Sequence, residues 1–302
     1  MNIEEVSRRG TELSQIHPSA YVDSKAEIGR NVVIGPHCYV GAGAVLGDDC
    51  LLHNNVTIAD RTICGRANVF FPQTVVGVAP QDLKYRGEPT RLEMGDDNVF
   101  RENVTVHAGT EVAGGLTRIG SHNRFLVGVH IAHDAVIGND CILSNYVQLA
   151  GHVCLEDKVT MSALIGVHHF TTIGTLAYVG GLTRIVADVP PFMIVEGNPS
   201  RVRGYNETGL RRWGYADVQI RSVREAYRML FSSRAESFGS SMLERIASLE
   251  SRPEVNGEVR YLCESVRRSL HEGVFGRQLE SHRRDTEADR RTFYRREGEN
   301  RD

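Results

Sequence analysis

Residues 16–51 run IHPSAY-VDSKAE-IGRNVV-IGPHCY-VGAGAV-LGDDCL, six blocks of six residues that share one pattern. The first residue of every block is apolar, from Ile16 to Leu46, and the fifth is small or modest in size. Ten such hexads run from Ile16 to position 75, three lie within 94–111, and twelve more begin at Ile119. A period of six fits neither the 3.6-residue repeat of a helix nor the alternation of an ordinary strand. Hexapeptide repeats of this length predict a parallel β-helix.

The repeat also predicts which side chains fill the interior. Three hexads make one triangular coil of eighteen residues, with first- and fifth-position side chains pointing inward. Cys38, Cys50 and Cys141 occupy fifth positions, so we expect them to be small core residues rather than disulfides or metal ligands. The chain has six Cys and no CxxC pair, which is typical of a reducing compartment.

Changes in the pattern divide the chain. Two interruptions of the repeat, at 76–93 and 112–118, are expected to be loops on a corner of the solenoid. Beyond the repeat, apolar residues at helical spacing appear within 216–230, 241–249 and 255–270. The predicted units are an N-terminal segment 1–15, a β-helix 16–205, a helical domain 206–275 and a charged, disordered tail 276–302.

Composition excludes several classes of protein. A net charge of −3 argues against a nucleic-acid binder that works through bulk charge. Apolar runs fall far short of the ~20 residues that span a bilayer, and the first residues lack a signal-peptide pattern, so we expect a cytoplasmic protein without stable membrane insertion. Only three of the 35 basic residues are Lys. One of them, Lys84, lies in the first interruption beside Asp82, which makes it a candidate for contacting phosphate oxygens.

The eighteen-residue coil gathers polar residues on one outer face. His133 is third in its hexad, which places it at a turn. Gly151 lies one coil above it and His169 two coils above, while His152 stacks over Asp134. Neighbouring coils are about 4.8 Å apart, as neighbouring strands are. A His in such a cluster suits a general base, because its pKa lies near neutral pH.

Five motifs carry a resemblance to a known family. They are HIAHD at 130–134, LAGH at 149–152, DVPP at 188–191, GNP at 197–199, and QDLKY at 81–85 followed by GEPT at 87–90. Together, over roughly residues 16–230, they resemble the UDP-N-acetylglucosamine O-acyltransferases that begin lipid A biosynthesis. The resemblance implies a left-handed parallel β-helix with a C-terminal helical domain, assembled as a homotrimer with its site between subunits. It implies transfer of a 3-hydroxyacyl group from the phosphopantetheine of acyl carrier protein to the 3-hydroxyl of UDP-N-acetylglucosamine, without a cofactor or metal.

The resemblance also assigns roles to residues. His133 matches the general base, Asp134 the residue that supports it, and the Gly151 backbone amide an oxyanion donor. Gly181 matches the position that sets acyl-chain length. Positions that match substrate contacts are Asp82, Lys84, His130, His152, His168, His169, Asn206 and Arg212. Three positions depart from the family pattern: His169 replaces Gln, Thr208 replaces Glu, and Trp213 replaces the second of two paired Arg.

Other functions compete with this one. Some hexapeptide proteins, such as γ-class carbonic anhydrases, bind zinc with a motif that has two His five residues apart, and no pair among the 12 His has that spacing. An N-acyltransferase later in the same pathway carries a uridine-binding domain before its repeat, whereas only fifteen residues precede Ile16 here. A non-catalytic scaffold is the third alternative. The acyl length, and whether the acceptor offers a 3-hydroxyl or a 3-amine, stay open.

Overall fold

The computed structural model describes four stretches of the 302-residue chain, namely 14–232, 240–252, 256–273 and 276–283. Within them the repeat forms short strands on three sheets. Most strands pair in parallel with the strand eighteen residues later, as Ile142 does with Thr160. The fold is a left-handed parallel β-helix followed by helices, so the predicted fold class is confirmed.

The stacked triangular coils form a prism, and each of the three sheets is one of its faces. The strands of the first sheet are Gln15–Ile16, Val33–Ile34, Leu51–Leu52, Val69–Phe70, Val99–Phe100, Arg124–Phe125, Ile142–Leu143, Thr160–Met161, Tyr178–Val179, Met193–Glu196 and Arg201–Tyr205. Those of the second are Tyr21–Val22, Tyr39–Val40, Thr57–Ile58, Val75–Val78, Thr105–His107, His130–Ile131, Gln148–Leu149, Gly166–Val167 and Arg184–Ile185. Those of the third are Glu27–Ile28, Val45–Leu46, Thr62–Cys64, Arg91–Met94, Leu116–Ile119, Val136–Ile137, Cys154–Leu155 and Thr172–Ile173.

Side chains fill the prism as the hexad pattern predicts. First-position residues such as Ile34 and Leu52 are at most 1% exposed. Cys38, Cys50 and Cys141 are buried and carry free thiols, which confirms their predicted core role. Burial raises the pKa of the Cys50 thiol to about 11, so it stays protonated and inert.

Three asparagines form a polar ladder inside this apolar core. Asn68, Asn98 and Asn123 occupy fifth positions on successive coils and are fully buried. Asn98 Nδ2 donates to Asn68 Oδ1 at 2.9 Å, and the Asn123 amide N–H donates to Asn98 Oδ1 at 3.0 Å. Buried amides need such partners, so the ladder is a structural feature rather than a site.

Residues at one corner of the prism form a column that is part of the candidate site. The fourth residue of a hexad adopts a left-handed backbone, with φ of +60° at Asp134, +62° at His152 and +61° at Phe170. These three residues follow one another at eighteen-residue steps on the corner between the second and third sheets. A non-glycine residue in this conformation costs roughly 1–2 kcal/mol, which the paired strands on either side offset.

The first interruption is shorter than predicted. Strands Val75–Val78 and Arg91–Met94 continue the ladders, so the loop is 79–90 rather than 76–93. The pairing register shifts between Val76 and Val78, and Arg91–Met94 pairs without any such shift, so the backbone ladder extends further into the interruption than the hexad pattern indicates.

The second interruption also begins and ends differently from the prediction of 112–118. A 3₁₀ turn covers Glu111–Ala113, and the strand Leu116–Ile119 starts inside the predicted loop. That strand pairs residue by residue with Arg91–Met94, which is why it remains extended.

The β-helix ends in a hairpin rather than in another parallel coil. Strand Met193–Glu196 pairs in parallel with Tyr178–Val179, and Arg201–Tyr205 returns antiparallel to it. Within the described residues four α-helices follow: α1 Glu207–Arg212, α2 Asp217–Leu230, α3 Met242–Glu250 and α4 Gly257–His271. Among the described helices, none combines the length and the apolar character needed to cross a bilayer.

The helices form a second core against the last coils. It includes Leu210, Val223 and Leu262, all fully buried. The phenol of Tyr261 donates to Glu156, whose carboxylate also accepts from the Thr175 backbone N–H at 2.7 Å. This shared carboxylate ties α4 to the β-helix.

The predicted disordered tail is wrong for its first residues. Positions 276–283 form an ordered segment with a 3₁₀ turn at Gln278–His282. Arg277 is 6% exposed and donates to the Val186 carbonyl at 2.8 Å. The charge-rich composition does not predict this structure, because the segment packs on the β-helix through hydrogen bonds and ion pairs rather than through apolar burial. The rest of the predicted tail, like residues 1–13, lies outside the described residues.

Candidate active site

His133 lies at the corner that follows the strand His130–Ile131. Its side chain is 13% exposed, so it faces a cleft rather than the core or open solvent. Nδ1 lies 2.7 Å from Asp134 Oδ2. An ionised carboxylate can only accept, so in the neutral ring Nδ1 carries the proton and Nε2 keeps its lone pair.

Asp134 is held rigidly. Its side chain is 2% exposed. The Thr110 backbone N–H donates to Oδ1 at 2.6 Å, and the Thr110 hydroxyl donates to Oδ2 at 2.7 Å. The Thr117 hydroxyl accepts from the Asp134 backbone N–H at 2.8 Å. Both threonines lie in the second interruption or at its edge. The second interruption therefore orients the Asp134 carboxylate and, through it, the His133 imidazole.

Gly151 lies directly over the His133 ring. A Cβ at Gly151 would be 2.5 Å from His133 Cε1 and 2.7 Å from Nε2. Because the ring is tethered to Asp134, it cannot give way to such an atom without breaking that bond. A glycine is therefore required for the imidazole to lie where it does.

An aromatic stack continues from His133 along the corner. The His152 ring meets the His133 ring edge-on, with centroids 5.3 Å apart, and stacks on Phe170 at 4.3 Å. His152 Nε2 is 3.7 Å from Asp134 Oδ2. Burial lowers the pKa of His152.

The first interruption, loop 79–90, folds back over this corner. Asp82 Oδ2 lies 4.0 Å from His133 Nε2, and Lys84 Nζ lies 2.9 Å from Asp82 Oδ1. Burial would raise the pKa of Asp82, but hydrogen bonds from the Lys84 amide and ammonium, together with its charge, outweigh burial and lower it. A carboxylate thus stands beside the free nitrogen of His133.

His107 lies beside the site and contacts two residues that line its cavities, although the hexad step did not indicate it. It is 5% exposed, and its Nδ1 accepts from the Gln81 backbone N–H at 3.3 Å, next to Asp82. Burial lowers its pKa to about 4, so it is neutral at pH 7 and able to accept. Its ring meets that of His130 edge-on at 4.8 Å. The strand pair of Thr105 with His130 has a step of twenty-five residues, which by addition places His107 opposite Ala132, the neighbour of His133; a step of eighteen residues misses it.

Two cavities meet at His133. The larger, of about 710 Å³, is lined by residues that include Asp82, Lys84, Asp134, His152 and His169. The smaller, of about 570 Å³, is lined by residues that include His130, Gln148, His168 and Arg184. Gln81, His133, Ala150 and Gly151 line both. A base at the junction of two cavities suits a reaction between two bound substrates.

Comparisons with known proteins show which family the chain resembles. The sequence pattern of the family described as "Udp N-acetylglucosamine O-acyltransferase; Domain 2" matches residues 188–274, and that of "Bacterial transferase hexapeptide (six repeats)" matches 25–60. Solved UDP-N-acetylglucosamine acyltransferases are similar over most of the chain. The enzyme from Moraxella catarrhalis is 39% identical over 82% of this chain and 95% of its own, with a TM-score of 0.78.

Two further structures extend the match. The enzyme from Bacteroides fragilis is 36% identical over 84% of this chain and 97% of its own, with a TM-score of 0.80. The Arabidopsis enzyme is 34% identical over 85% of this chain and 97% of its own, with a TM-score of 0.76. The chain belongs to the UDP-N-acetylglucosamine O-acyltransferase family. It is an acyltransferase.

Several predicted site residues lie together in this acyltransferase. His133, Asp134, Gly151, His152, His169, Asp82 and Lys84 line the larger cavity, and His130 and His168 line the smaller one. His130 Nδ1 lies 2.7 Å from the Thr105 hydroxyl oxygen, and burial lowers its pKa. The rings of His168 and His169 are 3.8 Å apart.

Three predicted residues line neither cavity of the single acyltransferase chain. Asn206 is 8% exposed, and its amide donates to the Leu176 carbonyl and accepts from the Gly209 N–H, so it caps α1. Arg212 is exposed at the end of the same helix. Gly181 is exposed on another corner, where a Cβ would meet only Ala163 O at 3.4 Å and Ser162 Cβ at 3.8 Å.

Trp213, one of the departures from the family pattern, has a partner of its own. Lys158 Nζ lies 4.4 Å from the centroid of its ring, a cation–π contact between the β-helix and the end of α1. A tryptophan at this position therefore stabilises the packing of α1 instead of offering a second guanidinium.

Three groups in the acyltransferase site have the spacing of metal ligands. Donor atoms of His133, Asp134 and His152 lie within 4.8 Å of one another. The Nδ1 of His133 and the Oδ2 of Asp134 are already joined by a hydrogen bond, and Oδ2 also accepts from Thr110. An ion would have to break that network to bind these atoms, so the arrangement fits proton transfer better than metal ligation.

Proposed function

We propose that this enzyme transfers a 3-hydroxyacyl group from acyl carrier protein to the 3-hydroxyl of UDP-N-acetylglucosamine, with His133 as general base. Cytoplasmic acyl transfer of this kind is the first step of lipid A biosynthesis. The observation that carries the proposal is the His133–Asp134 pair, 2.7 Å apart at the junction of two cavities. The similarity to UDP-N-acetylglucosamine acyltransferases supplies the acceptor.

Proton transfer to His133 starts the reaction. The Nε2 lone pair takes the proton of the sugar hydroxyl while its oxygen attacks the thioester carbonyl. Asp134 on Nδ1 and Asp82, 4.0 Å from Nε2, both favour the imidazolium that forms. Two carboxylates near one imidazole thus lower the barrier for removing a proton from a poorly acidic alcohol.

The tetrahedral intermediate then collapses. We assign the Gly151 backbone N–H to its oxyanion, because that residue lies over the His133 ring and lines both cavities. Expulsion of the phosphopantetheine sulfur breaks the C–S bond, and the imidazolium returns its proton to the thiolate. His133 ends neutral, so the cycle needs no cofactor.

A homotrimer would complete the site. Asn206 and Arg212 face neither cavity of their own chain, so their proposed contact with nucleotide requires a neighbouring subunit. A column of exposed apolar side chains offers a surface for one: Tyr146, Leu164 and Leu182 are 53, 55 and 74% exposed at eighteen-residue steps. Burying such a column stabilises assembly by about 25 cal/mol per Å². Light scattering should give the mass of three chains.

The direct test is transfer by the purified enzyme from 3-hydroxyacyl carrier protein to UDP-N-acetylglucosamine, with the product identified by mass spectrometry. We expect an O-acylated sugar nucleotide at an undiminished rate after dialysis against a chelator, because His133 and Asp134 already bind each other. Activity that falls with chelation and returns with zinc would establish the metal alternative. Binding of both substrates without turnover would establish the scaffold alternative.

Gly181→Met should shorten the preferred acyl chain. The position is exposed and admits a side chain without strain, and a Met there would block a chain lying along that corner. Each methylene excluded costs about 0.8 kcal/mol, so two should shift donor preference by about tenfold. The measurement is the ratio of kcat/KM for long and short 3-hydroxyacyl carrier proteins. Gly181→Ala is the control and should keep the wild-type ratio. If Gly181→Met also keeps it, the chain ends elsewhere.

A further inference from the structure

The ordered C-terminal segment Gly276–Arg283, here called the strap, is built into the β-helix. The Asp188 backbone N–H donates to the Gly276 carbonyl at 2.7 Å, and Asp188 Oδ2 accepts from the Gln278 N–H at 2.8 Å. Gln278 Nε2 donates to the Thr172 hydroxyl at 2.9 Å. Because Arg277 is also buried, the strap has a defined position beside the cleft.

The strap forms one wall of the larger cavity. Leu279, His282 and Arg283 line it together with Asp82 and His133. The family pattern ends at residue 274, so this wall lies beyond the part of the chain that the match explains. Any ligand that fills the cavity next to His133 must meet the strap.

Arg283 is the strap residue best placed to bind an anion. Its guanidinium is 21% exposed and lies 5.4 Å from the Phe170 ring centroid. Its Nη1 is 3.0 Å from Glu280 Oε1 and 3.4 Å from His169 Nε2. Arg donates only, so the contact with His169 requires a neutral ring, and burial lowers the pKa of His169 to about 4. These contacts hold the guanidinium in one orientation before any ligand binds.

Two phosphate-bearing substrates, the sugar nucleotide and the acyl carrier protein, could use this arginine. The strap lines the larger cavity with Asp82 and Lys84, whereas none of its described residues lines the smaller one, which contains His130 and His168. Two cations, Lys84 and Arg283, line the larger cavity, which suits the two phosphates of a sugar nucleotide better than the single phosphate of the carrier's phosphopantetheine arm. Resting on the proposed function, we propose that the strap is part of the acceptor site and that Arg283 binds the diphosphate of the sugar nucleotide.

The test compares Arg283→Gln with the wild-type enzyme. Guanidinium pairs bidentately with phosphate, so its loss should raise the KM for UDP-N-acetylglucosamine and the Kd for UDP alone by roughly tenfold. The kcat and the KM for the acyl donor should change less than twofold. Arg283→Lys keeps the charge, so its KM for UDP-N-acetylglucosamine and its Kd for UDP should lie between those of the wild type and of Arg283→Gln. The control is Arg252→Gln, which removes an arginine 47% exposed and 3.8 Å from Glu225, outside both cavities.

The outcomes separate this inference from the proposed function. A wild-type enzyme that neither binds UDP nor acylates the sugar nucleotide would refute the proposed function itself. If the wild type does both and Arg283→Gln, with unchanged Tm, has wild-type constants, only the strap inference is wrong. It is equally wrong if the donor KM alone rises, which would assign Arg283 to the carrier arm. A fall in kcat alone would also overturn it, because Arg283 would then act through Phe170 and His152 on the base.

Discussion

His133→Gln should lower kcat by roughly 10²–10⁴-fold, the usual contribution of a general base. Glutamine can still donate to Asp134, but its amide has no nitrogen able to take a proton at neutral pH. The side chain lies at a corner and not inside the prism, so the fold should tolerate the change. We expect a Tm within a few degrees of wild type and unchanged KM values. The measurement is the steady-state rate of acyl transfer with both substrates saturating.

His122→Gln is the matched control for this experiment. His122 also lies at a corner, one position later in its hexad than His133, and its Nδ1 is 3.8 Å from Asp97 Oδ2. It lines neither cavity, so its replacement should leave kcat unchanged. A folded His133→Gln enzyme with near-normal turnover would remove His133 from the mechanism.

The periodic part of the molecule can be predicted from its sequence because one rule fixes it. Each hexad places an apolar first residue inside, and strand pairing repeats every eighteen residues, so the partners of His133 on the next two coils follow by addition. That rule alone brings Gly151 and His169 to the same corner. It needs no side-chain detail, because backbone hydrogen bonds between coils enforce the register.

Prediction fails where insertions or non-repetitive contacts decide the position. The second insertion changes the step to twenty-five residues, which hides His107. The strap has a single apolar residue, Leu279, within 277–283, so composition indicates a solvated tail. Its anchors are instead the buried Arg277 and the carboxylate of Asp188, which no periodicity reveals.

The helical domain is an intermediate case. The helical spacing of apolar residues predicts the ends of α2, α3 and α4 to within two residues, because the apolar stripes of these helices pack on a common core. It cannot indicate where Asn206 points. The structure uses that amide as a helix cap and a bond to Leu176, so any contact with nucleotide depends on the assembly of subunits.

Gly151→Ala should lower kcat by about 10²-fold while leaving the fold intact. The added Cβ would lie 2.5 Å from His133 Cε1 and 2.7 Å from Nε2, closer than such atoms can approach. The imidazole must therefore move, which breaks its 2.7 Å bond to Asp134 or turns Nε2 away from the cleft. A misplacement of about 1 Å at a reacting group can cost 10²-fold in rate. The control is Gly204→Ala, whose Cβ would meet only Ile194 Cδ1 at 3.8 Å and should have no effect.

A double-mutant cycle shows whether this loss acts through His133. Alanine keeps the backbone N–H assigned to the oxyanion, so the substitution should act by displacing the ring and not by removing a donor. In a His133→Ala background the ring is absent and the Cβ of Ala at 151 meets no imidazole. Gly151→Ala should then cost less than twofold, and the two effects should be strongly non-additive. If Gly151→Ala lowers the residual rate of His133→Ala by its full factor, the glycine serves the oxyanion independently, and the packing of Gly151 over His133 is not what the reaction requires.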